Sequence, residues 1–294
     1  MLPLPPSVRL VTGSGSLPRL DVSTPFATAQ IYLHGAHVAA WHPSHTASPV
    51  LWLSAQSLFQ PDKPIRGGVP ICFPWFGPHA SDTQAPAHGF ARLADWTLTR
   101  AIETPDGAVR LALTLEPDAN TTAAWPCAFR LTHRIVIGSR LTMTLEIENP
   151  LAEPLVFEAA LHTYFAVEDI EAVSIGGLGR AAYLDKVGGL TRRTEDGAAI
   201  RFRSETDRVY LDTSAACVIR DERRSRRIVV SKAGSQSTIV WNPWIDKARA
   251  MPDFGDQEWR EMVCVETGNV GDAAVRLEPG GRHEMQAEIS VEPL

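Results

Sequence analysis

The strongest constraint on the fold is a strict alternation of apolar and polar residues near the middle of the chain. Every second residue of segment 141–148 is apolar, and threonine or glutamate fills the positions between. Because successive side chains of a β-strand point to opposite faces, this pattern predicts a strand with one buried face. Segment 129–137 alternates similarly, and Gly138-Ser139 between the two segments is typical of a hairpin turn.

Similar patterns recur along the sequence. Segments 109–115 and 285–291 repeat the alternation, and further strands are predicted over residues 30–33, 50–53, 96–101, 155–167, 209–212, 227–231, 238–241 and 262–266. Helical periodicity is limited to two short segments, 245–250 and 256–262. Many short strands with turns between them predict an all-β fold. We therefore expect a large antiparallel β-sandwich with few short helices, and one domain over residues 1–294.

Composition and charge argue against several classes of function. The net charge of −6 is unsuited to broad nucleic-acid binding, which needs a basic surface. No segment approaches the roughly 18 apolar residues that span a membrane. The four cysteines are far apart and form no C-x-x-C pair, which favours free thiols in a reducing compartment. Since the N-terminal residues also lack the pattern of a secretory signal, we expect a cytoplasmic protein.

The most informative site signal is segment 66–78, followed closely by segment 88–92. Proline restricts φ and glycine permits unusual backbone conformations, so we expect segment 66–78 to hold one unusual shape. Its aromatic side chains suit a pocket wall, and the guanidinium groups of Arg66 and Arg92 suit an anionic ligand. The alternative is that both arginines are ordinary surface charges.

Three further segments carry titratable residues in or beside predicted strands. His162 lies in an otherwise apolar segment, and on a regular strand Glu158 and Tyr164 would share its face. Glu266 follows a Val-Cys-Val strand, where partial burial would raise its pKa and suit it to proton transfer. Asp207 lies in a charged segment that enters a strand. Each also has a structural interpretation: a hydrogen-bonded core histidine, a glutamate paired with an arginine, and a solvated turn.

Other motifs favour structural roles. Histidines 34, 37, 42 and 45 are spaced like two His-x-x-His pairs, but positions three apart on a strand face opposite ways, and no nearby cysteine or carboxylate completes a metal set. The charged run 220–227 contains two acids and joins two predicted strands, as a solvated turn would. The glycine clusters at 13–15 and 176–179 lack the strand–glycine–helix context of dinucleotide folds. We therefore expect no metal site and no dinucleotide site.

Taken together, the four site segments resemble the aldose 1-epimerase (galactose mutarotase-like) superfamily and, more narrowly, its hexose-6-phosphate mutarotase branch. The matching segments are IRGGVPICFPWFGPH at 65–79, HGFAR at 88–92, LHTYF at 161–165, SETDRVY at 204–210, VWNPW at 240–244 and CVETGNV at 264–270. The resemblance implies a sandwich of two large antiparallel sheets with a sugar site in a cleft. It also implies a hexose 6-phosphate as the small-molecule substrate and neither a metal nor an organic cofactor.

The resemblance further implies roles for individual residues. Glu266 looks like the catalytic base and His162 like the catalytic acid. The substrate would be bound by His88 near the ring oxygen, by Asp207 at the hydroxyls, and by Arg66 and Arg92 at the phosphate. One departure is Ala87, where close relatives often carry glutamine.

Some questions stay open at the level of sequence. Either His88 or His162 could protonate the ring oxygen. The alternatives to a hexose-phosphate mutarotase are an aldose 1-epimerase that acts on free hexoses and a non-catalytic carbohydrate-binding module on the same fold. We expect a monomer that binds neither nucleic acid nor membranes.

Overall fold

The computed structural model describes residues 2–294, which form mainly antiparallel β-strands. The strands, in chain order, are β1 (Val8–Thr12), β2 (Pro18–Ser23), β3 (Ala27–Tyr32), β4 (His37–Pro43), β5 (Ile71–Cys72), β6 (Thr97–Glu103), β7 (Val109–Leu115), β8 (Arg130–Ile137), β9 (Leu141–Glu148), β10 (Leu155–Phe157), β11 (Ala159–Leu161), β12 (Tyr164–Ala166), β13 (Val173–Gly176), β14 (Ala182–Asp185), β15 (Thr191–Thr194), β16 (Ile200–Arg201), β17 (Thr206–Tyr210), β18 (Cys217–Asp221), β19 (Arg226–Ala233), β20 (Ser237–Asn242), β21 (Met262–Asn269), β22 (Val275–Leu277) and β23 (Arg282–Pro293). Within residues 2–294 the α-helices are α1 (Ala119–Ala124) and α2 (Trp244–Ala250).

Two large sheets contain most of the strands. One has nine strands in the order β16-β13-β18-β19-β23-β9-β8-β7-β6. The other has eight, in the order β15-β14-β17-β20-β21-β11-β5, with β12 also paired to β21. Leu145 and Met285 of the first sheet and Val240 and Val265 of the second belong to one buried cluster, so the core lies between the sheets. The predicted all-β antiparallel sandwich with few short helices is confirmed.

The alternating segments all lie in the nine-stranded sheet, and the predicted hairpin of segments 129–137 and 141–148 is confirmed. β8 and β9 pair in register from Ile137–Leu141 to Arg130–Glu148, and β7 has the predicted bounds. The apolar residues of β9 are fully buried. Glu146 on its other face is also shielded, because Arg134 of β8 donates a 2.6 Å hydrogen bond to it.

Three predicted elements are wrong in detail. Segment 155–167 is broken into β10, β11 and β12, because the chain leaves its pairing with β22 and joins β21 of the eight-stranded sheet. Segment 256–262 is a 3-10 turn over Glu258–Glu261 that leads directly into β21. Segment 50–53 contributes only isolated bridges, Leu51 with Phe165 and Leu53 with Gly67.

Elements with weak sequence patterns were not predicted. Helix α1 lacks an apolar stripe and begins at a capping box, in which Asp118 and Thr121 exchange side-chain to backbone hydrogen bonds. All four residues of β15 are exposed, so no alternation of burial marks this edge strand. Across residues 2–294, no helix combines the length and apolar character that crossing a membrane requires.

Candidate active site

The six residues selected from the sequence line one cavity of about 310 Å³ beside the eight-stranded sheet. They are Arg66, His88, Arg92, His162, Asp207 and Glu266. A larger groove of about 700 Å³ lies over β1 to β4 and contains none of the six. The smaller cavity is therefore the candidate active site.

Strand register explains why residues distant in sequence meet there. Asp207 of β17 lies opposite Trp241 of β20, and Trp241 lies opposite Cys264 of β21. Glu266 lies opposite Ile239 in the same ladder. Because directly opposed residues and residues two apart share a face, all five side chains emerge on one face of the sheet.

His162 and Glu266 form a close imidazole–carboxylate pair in the cavity. His162 Nε2 lies 3.4 Å from Glu266 Oε1, and the two residues are only 7% and 1% exposed. His162 Nδ1 and Glu266 Oε2 have no hydrogen-bond partner within residues 2–294. His162 sits at the break between β11 and β12, where its ring stacks on Tyr164 with centroids 4.8 Å apart.

Burial shifts both groups toward their neutral forms. Desolvation, reinforced by Asp207, raises the pKa of Glu266 well above its ordinary value. Desolvation, reinforced by Arg92 and Arg66, lowers the pKa of His162 well below its ordinary value. Both shifts therefore favour the state in which the pair holds one proton, carried by the carboxylate beside a neutral imidazole.

His88 is held as a neutral hydrogen-bond donor. Its Nδ1 accepts from the backbone N–H of Gly77 at 3.2 Å and lies 3.5 Å from the Cys72 sulfur, so Nε2 carries the ring proton. Burial, with Arg92 next, lowers the pKa of His88 well below its usual range. Its backbone is positioned by Gly89, where an added Cβ would meet the Phe73 carbonyl oxygen at 1.9 Å.

The two arginines that line the cavity differ in whether a carboxylate offsets their positive charge. Arg66 forms an ion pair with Asp253, at 3.0 Å between NH2 and Oδ2. Arg92 is partly buried and donates from NH2 to the Ala87 carbonyl at 2.7 Å. No carboxylate within residues 2–294 lies within ion-pair distance of Arg92. Arg92 therefore contributes the uncompensated positive charge.

Sequence reasoning missed Lys186. It follows β14 directly, lines the cavity, and places its ammonium 3.6 Å from Asp207 and 5.2 Å from the centroid of the Phe76 ring. Nothing in the sequence distinguishes this lysine from others at strand ends. The backbone N–H of Lys186 donates to the Asp207 carbonyl at 2.8 Å, and this contact exists only once the strands pair.

The predicted shared face of Glu158, His162 and Tyr164 is only partly correct. His162 and Tyr164 stack, but the chain bends between β10 and β11, and Glu158 turns away from the cavity wall. Its carboxylate instead accepts hydrogen bonds from the backbone N–H groups of Phe76 and Gly271. Glu158 thus anchors the aromatic segment that forms one wall of the site.

One set of side chains combines donor types that can hold a metal ion. A ring nitrogen of His162, the sulfur of Cys264 and a carboxylate oxygen of Glu266 all lie within 4.8 Å of one another. Burial raises the pKa of the Cys264 thiol well above its ordinary value, and thiolate is the form that binds metals. The nearby charges of Arg66, Arg92 and Lys186 also oppose a divalent cation.

Comparison with known proteins gives a consistent result. Residues 19–290 match the family model described as Aldose 1-epimerase. A protein of Cenchrus ciliaris named "Putative glucose-6-phosphate 1-epimerase" is 38% identical over 90% of this chain and 82% of its own length. A protein of Escherichia coli (strain K12) with the same name is 37% identical over 90% of this chain and 89% of its own length.

One solved structure is similar to this chain over nearly its whole length. That of YeaD from Salmonella typhimurium, described as a "putative mutarotase", has a TM-score of 0.92 at 33% identity and covers 100% of this chain and 96% of that one. The fold is therefore a mutarotase-type β-sandwich. The chain belongs to the aldose 1-epimerase family, and it is an isomerase. The family resemblance predicted from the sequence is confirmed.

Proposed function

We propose that the protein interconverts the α and β anomers of an aldohexose 6-phosphate, with glucose 6-phosphate as its substrate, by acid–base ring opening and closure without a cofactor. The observation that carries the proposal is the His162–Glu266 contact in the same cavity as Arg92, whose charge is uncompensated. The names of the relatives from Cenchrus ciliaris and Escherichia coli support the same substrate.

Ring opening needs one proton removed from the C1 hydroxyl and one added to the ring oxygen. Glu266 as carboxylate accepts the first proton, and His162 as imidazolium donates the second. The C1–O5 bond breaks, the aldehyde forms, and the C1–C2 bond rotates. Closure on the other face returns the C5 hydroxyl proton to His162, while Glu266 protonates the carbonyl oxygen. No proton is gained or lost over the cycle.

A single proton shared by His162 and Glu266 lets this buried pair catalyse both ring opening and ring closure. Opening converts a histidinium–carboxylate pair into a neutral pair, and closure restores it. The 3.4 Å contact between Nε2 and Oε1 supports proton exchange between the two forms without solvent.

His88 suits a different task. Its Nδ1 already accepts the Gly77 N–H, so a second proton on the ring would break that hydrogen bond. We therefore assign ring-oxygen protonation to His162, and a hydrogen bond from Nε2–H to the substrate to His88. Asp207 and Lys186 would bind sugar hydroxyls as an acceptor and a donor, and Arg66 and Arg92 would bind the phosphate.

The test is anomerisation of freshly dissolved α-glucose 6-phosphate, followed by polarimetry or exchange NMR with and without protein. Wild type should accelerate equilibration, and Glu266→Gln should lose about 10²–10⁴-fold in rate, the contribution typical of a positioned proton-transfer group. Glu288→Gln is the matched control, since that carboxylate pairs with Arg140 in the other sheet. Full activity in Glu266→Gln would refute the assigned base.

A further inference from the structure

Asp253 lies outside the cavity wall but holds one of its arginines in a fixed orientation. Arg66 Nε donates to Asp253 Oδ2 at 3.1 Å, and Arg66 NH2 donates to Oδ1 at 3.2 Å. On its other side Arg66 NH1 donates to the Tyr164 hydroxyl at 3.0 Å. A guanidinium has five N–H groups, so these contacts use three and leave one on each terminal nitrogen.

The turn that carries Asp253 is itself anchored. Glu258, at the start of the next 3-10 turn, accepts from the backbone N–H of Gly255 at 2.8 Å. The same carboxylate accepts from the Ser54 hydroxyl at 2.6 Å and from the backbone N–H of Ala55 at 2.8 Å. The position of Asp253 is therefore tied to the loop that precedes Arg66.

The backbone at Arg66 is equally constrained. Its N–H donates to the Ser57 hydroxyl at 2.8 Å. The following Gly67 has a φ of 110°, and an added Cβ there would meet the Trp52 carbonyl oxygen at 2.5 Å. Both ends of the Arg66–Asp253 contact are thus fixed before any ligand binds.

Arg66 and Arg92 therefore present different properties to an anion. The charge of Arg66 is offset by Asp253, but its planar group is fixed at three points. Arg92 has no carboxylate partner within residues 2–294 and is held by one hydrogen bond, to the Ala87 carbonyl. The first is an oriented pair of donors, and the second supplies net charge.

We propose that Asp253 is a positioning residue for phosphate recognition, which orients the free N–H groups of Arg66 toward the substrate phosphate although it cancels the charge of that arginine. The inference rests on the proposed function. It assigns orientation to the Arg66–Asp253 unit and electrostatic attraction to Arg92.

Asp253→Asn separates orientation from charge. The variant keeps the size of the side chain but replaces one acceptor oxygen by an amide donor, which repels the facing guanidinium N–H. It also makes the site more positive by one unit. If charge alone governed binding, the KM for glucose 6-phosphate would fall. We expect it to rise about tenfold, with kcat changed less than about threefold and the KM for glucose unchanged.

Matched variants exclude a general loss of structure. Asp21→Asn removes a similar bidentate pair, with Arg19 at 2.7 and 3.2 Å, away from the cavity, and should leave both kinetic constants unchanged. Asp253→Glu retains the carboxylate and should recover part of the affinity. Thermal unfolding of each variant shows whether the fold is intact. If Asp253→Asn does not fold, the comparison is made between Asp253→Glu and wild type, where a twofold or larger rise in KM for glucose 6-phosphate alone is expected.

A double-mutant cycle tests whether Asp253 acts through Arg66. In an Arg66→Ala background, Asp253→Asn should have little further effect on the KM for glucose 6-phosphate. An equal effect in both backgrounds, or an unchanged or lower KM in the single variant, would overturn the proposal.

Binding of inorganic phosphate distinguishes failure of this inference from failure of the proposed function. If wild type does not anomerise glucose 6-phosphate, the proposed function is wrong. Calorimetric titration with phosphate still reports on Asp253. Weaker binding to Asp253→Asn than to wild type supports the positioning role, and equal or tighter binding refutes it.

Discussion

His162 Nε2 and Glu266 Oε1 lie 3.4 Å apart in a site that excludes most solvent from both groups. The pair therefore titrates as a unit, and the proposed mechanism requires it to hold a single proton.

The pH dependence of kcat should follow from this unit. A second proton inactivates the pair at low pH. Burial lowers the pKa of this step well below 6.5, the ordinary pKa of histidine. Loss of the last proton inactivates the pair at high pH. Burial raises the pKa of this step well above 4.5, the ordinary pKa of glutamate. We expect a bell-shaped profile measured with saturating substrate. An acid limb centred at or above pH 6.5 would contradict it.

Arg92→Ala should affect phosphorylated and free sugars differently. Because Arg92 carries uncompensated charge, its removal should raise the KM for glucose 6-phosphate at least tenfold and leave that for glucose nearly unchanged. The measurement is initial-rate polarimetry with both sugars. Equal effects on both would favour a free-aldose epimerase instead.

Acid should destabilise the protein in part through two buried histidines that lie outside the cavity. Desolvation lowers the pKa of His37 to about 3 and that of His133 to about 4, so both are neutral in the folded state near neutral pH. Unfolded histidines titrate near 6.5, so the unfolded state binds more protons below that pH. The contribution of His37 and His133 to stability is therefore complete above about pH 6.5 and falls by roughly 3 kcal/mol per pH unit between about pH 6 and 4, where both are protonated only in the unfolded state.

Denaturant unfolding at several pH values measures this slope. His133→Gln should reduce the slope by roughly 1.4 kcal/mol per pH unit, the contribution of one histidine that is protonated only in the unfolded state. Glutamine can also donate to the Ala36 carbonyl, which the His133 ring contacts at 3.1 Å. The exposed His42→Gln is the control and should leave the slope unchanged.

A comparison of two glycines with similar φ angles distinguishes two contributions to the free energy of unfolding: a steric clash of the new side chain and the strain of a left-handed backbone. Gly77 and Gly89 have φ of 78° and 72°, but an added Cβ meets nothing within 4 Å at Gly77 and meets the Phe73 carbonyl oxygen at 1.9 Å at Gly89. Gly77→Ala should cost about 1–2 kcal/mol, the penalty of a left-handed residue. Gly89→Ala should cost clearly more and displace His88. Equal free energies of unfolding for the two variants would refute the steric argument.

Much of the fold was predictable because burial of one strand face leaves a period of two in the sequence. That signal located β7, β8, β9 and β23, and the joint order of short motifs located the cavity-lining residues. The assigned roles of these residues, the single domain, the monomeric state and the cytoplasmic location stay predictions.

The remaining features depend on contacts that sequence patterns do not record. Segment 155–167 is apolar apart from Glu158, His162 and Thr163, and no change in its pattern marks the point where the chain changes sheets. Asp253 and Lys186 contact partners 187 and 21 residues away, Arg66 and Asp207 respectively. Their importance is visible only when the strands and loops are assembled.

The pairing of β17, β20 and β21 fixes the backbone separation of the two acidic residues of the site. Asp207 and Glu266 lie on strands separated by β20, so their strands are about 10 Å apart across the sheet, twice the usual interstrand spacing, and a two-residue offset along β20 adds about 7 Å along the strand direction. Main-chain hydrogen bonds maintain that span whatever the surrounding loops contain. The sheet therefore sets the spacing between the proposed base and the carboxylate proposed to bind sugar hydroxyls, and changes confined to the loops can alter which substrate enters without changing that spacing.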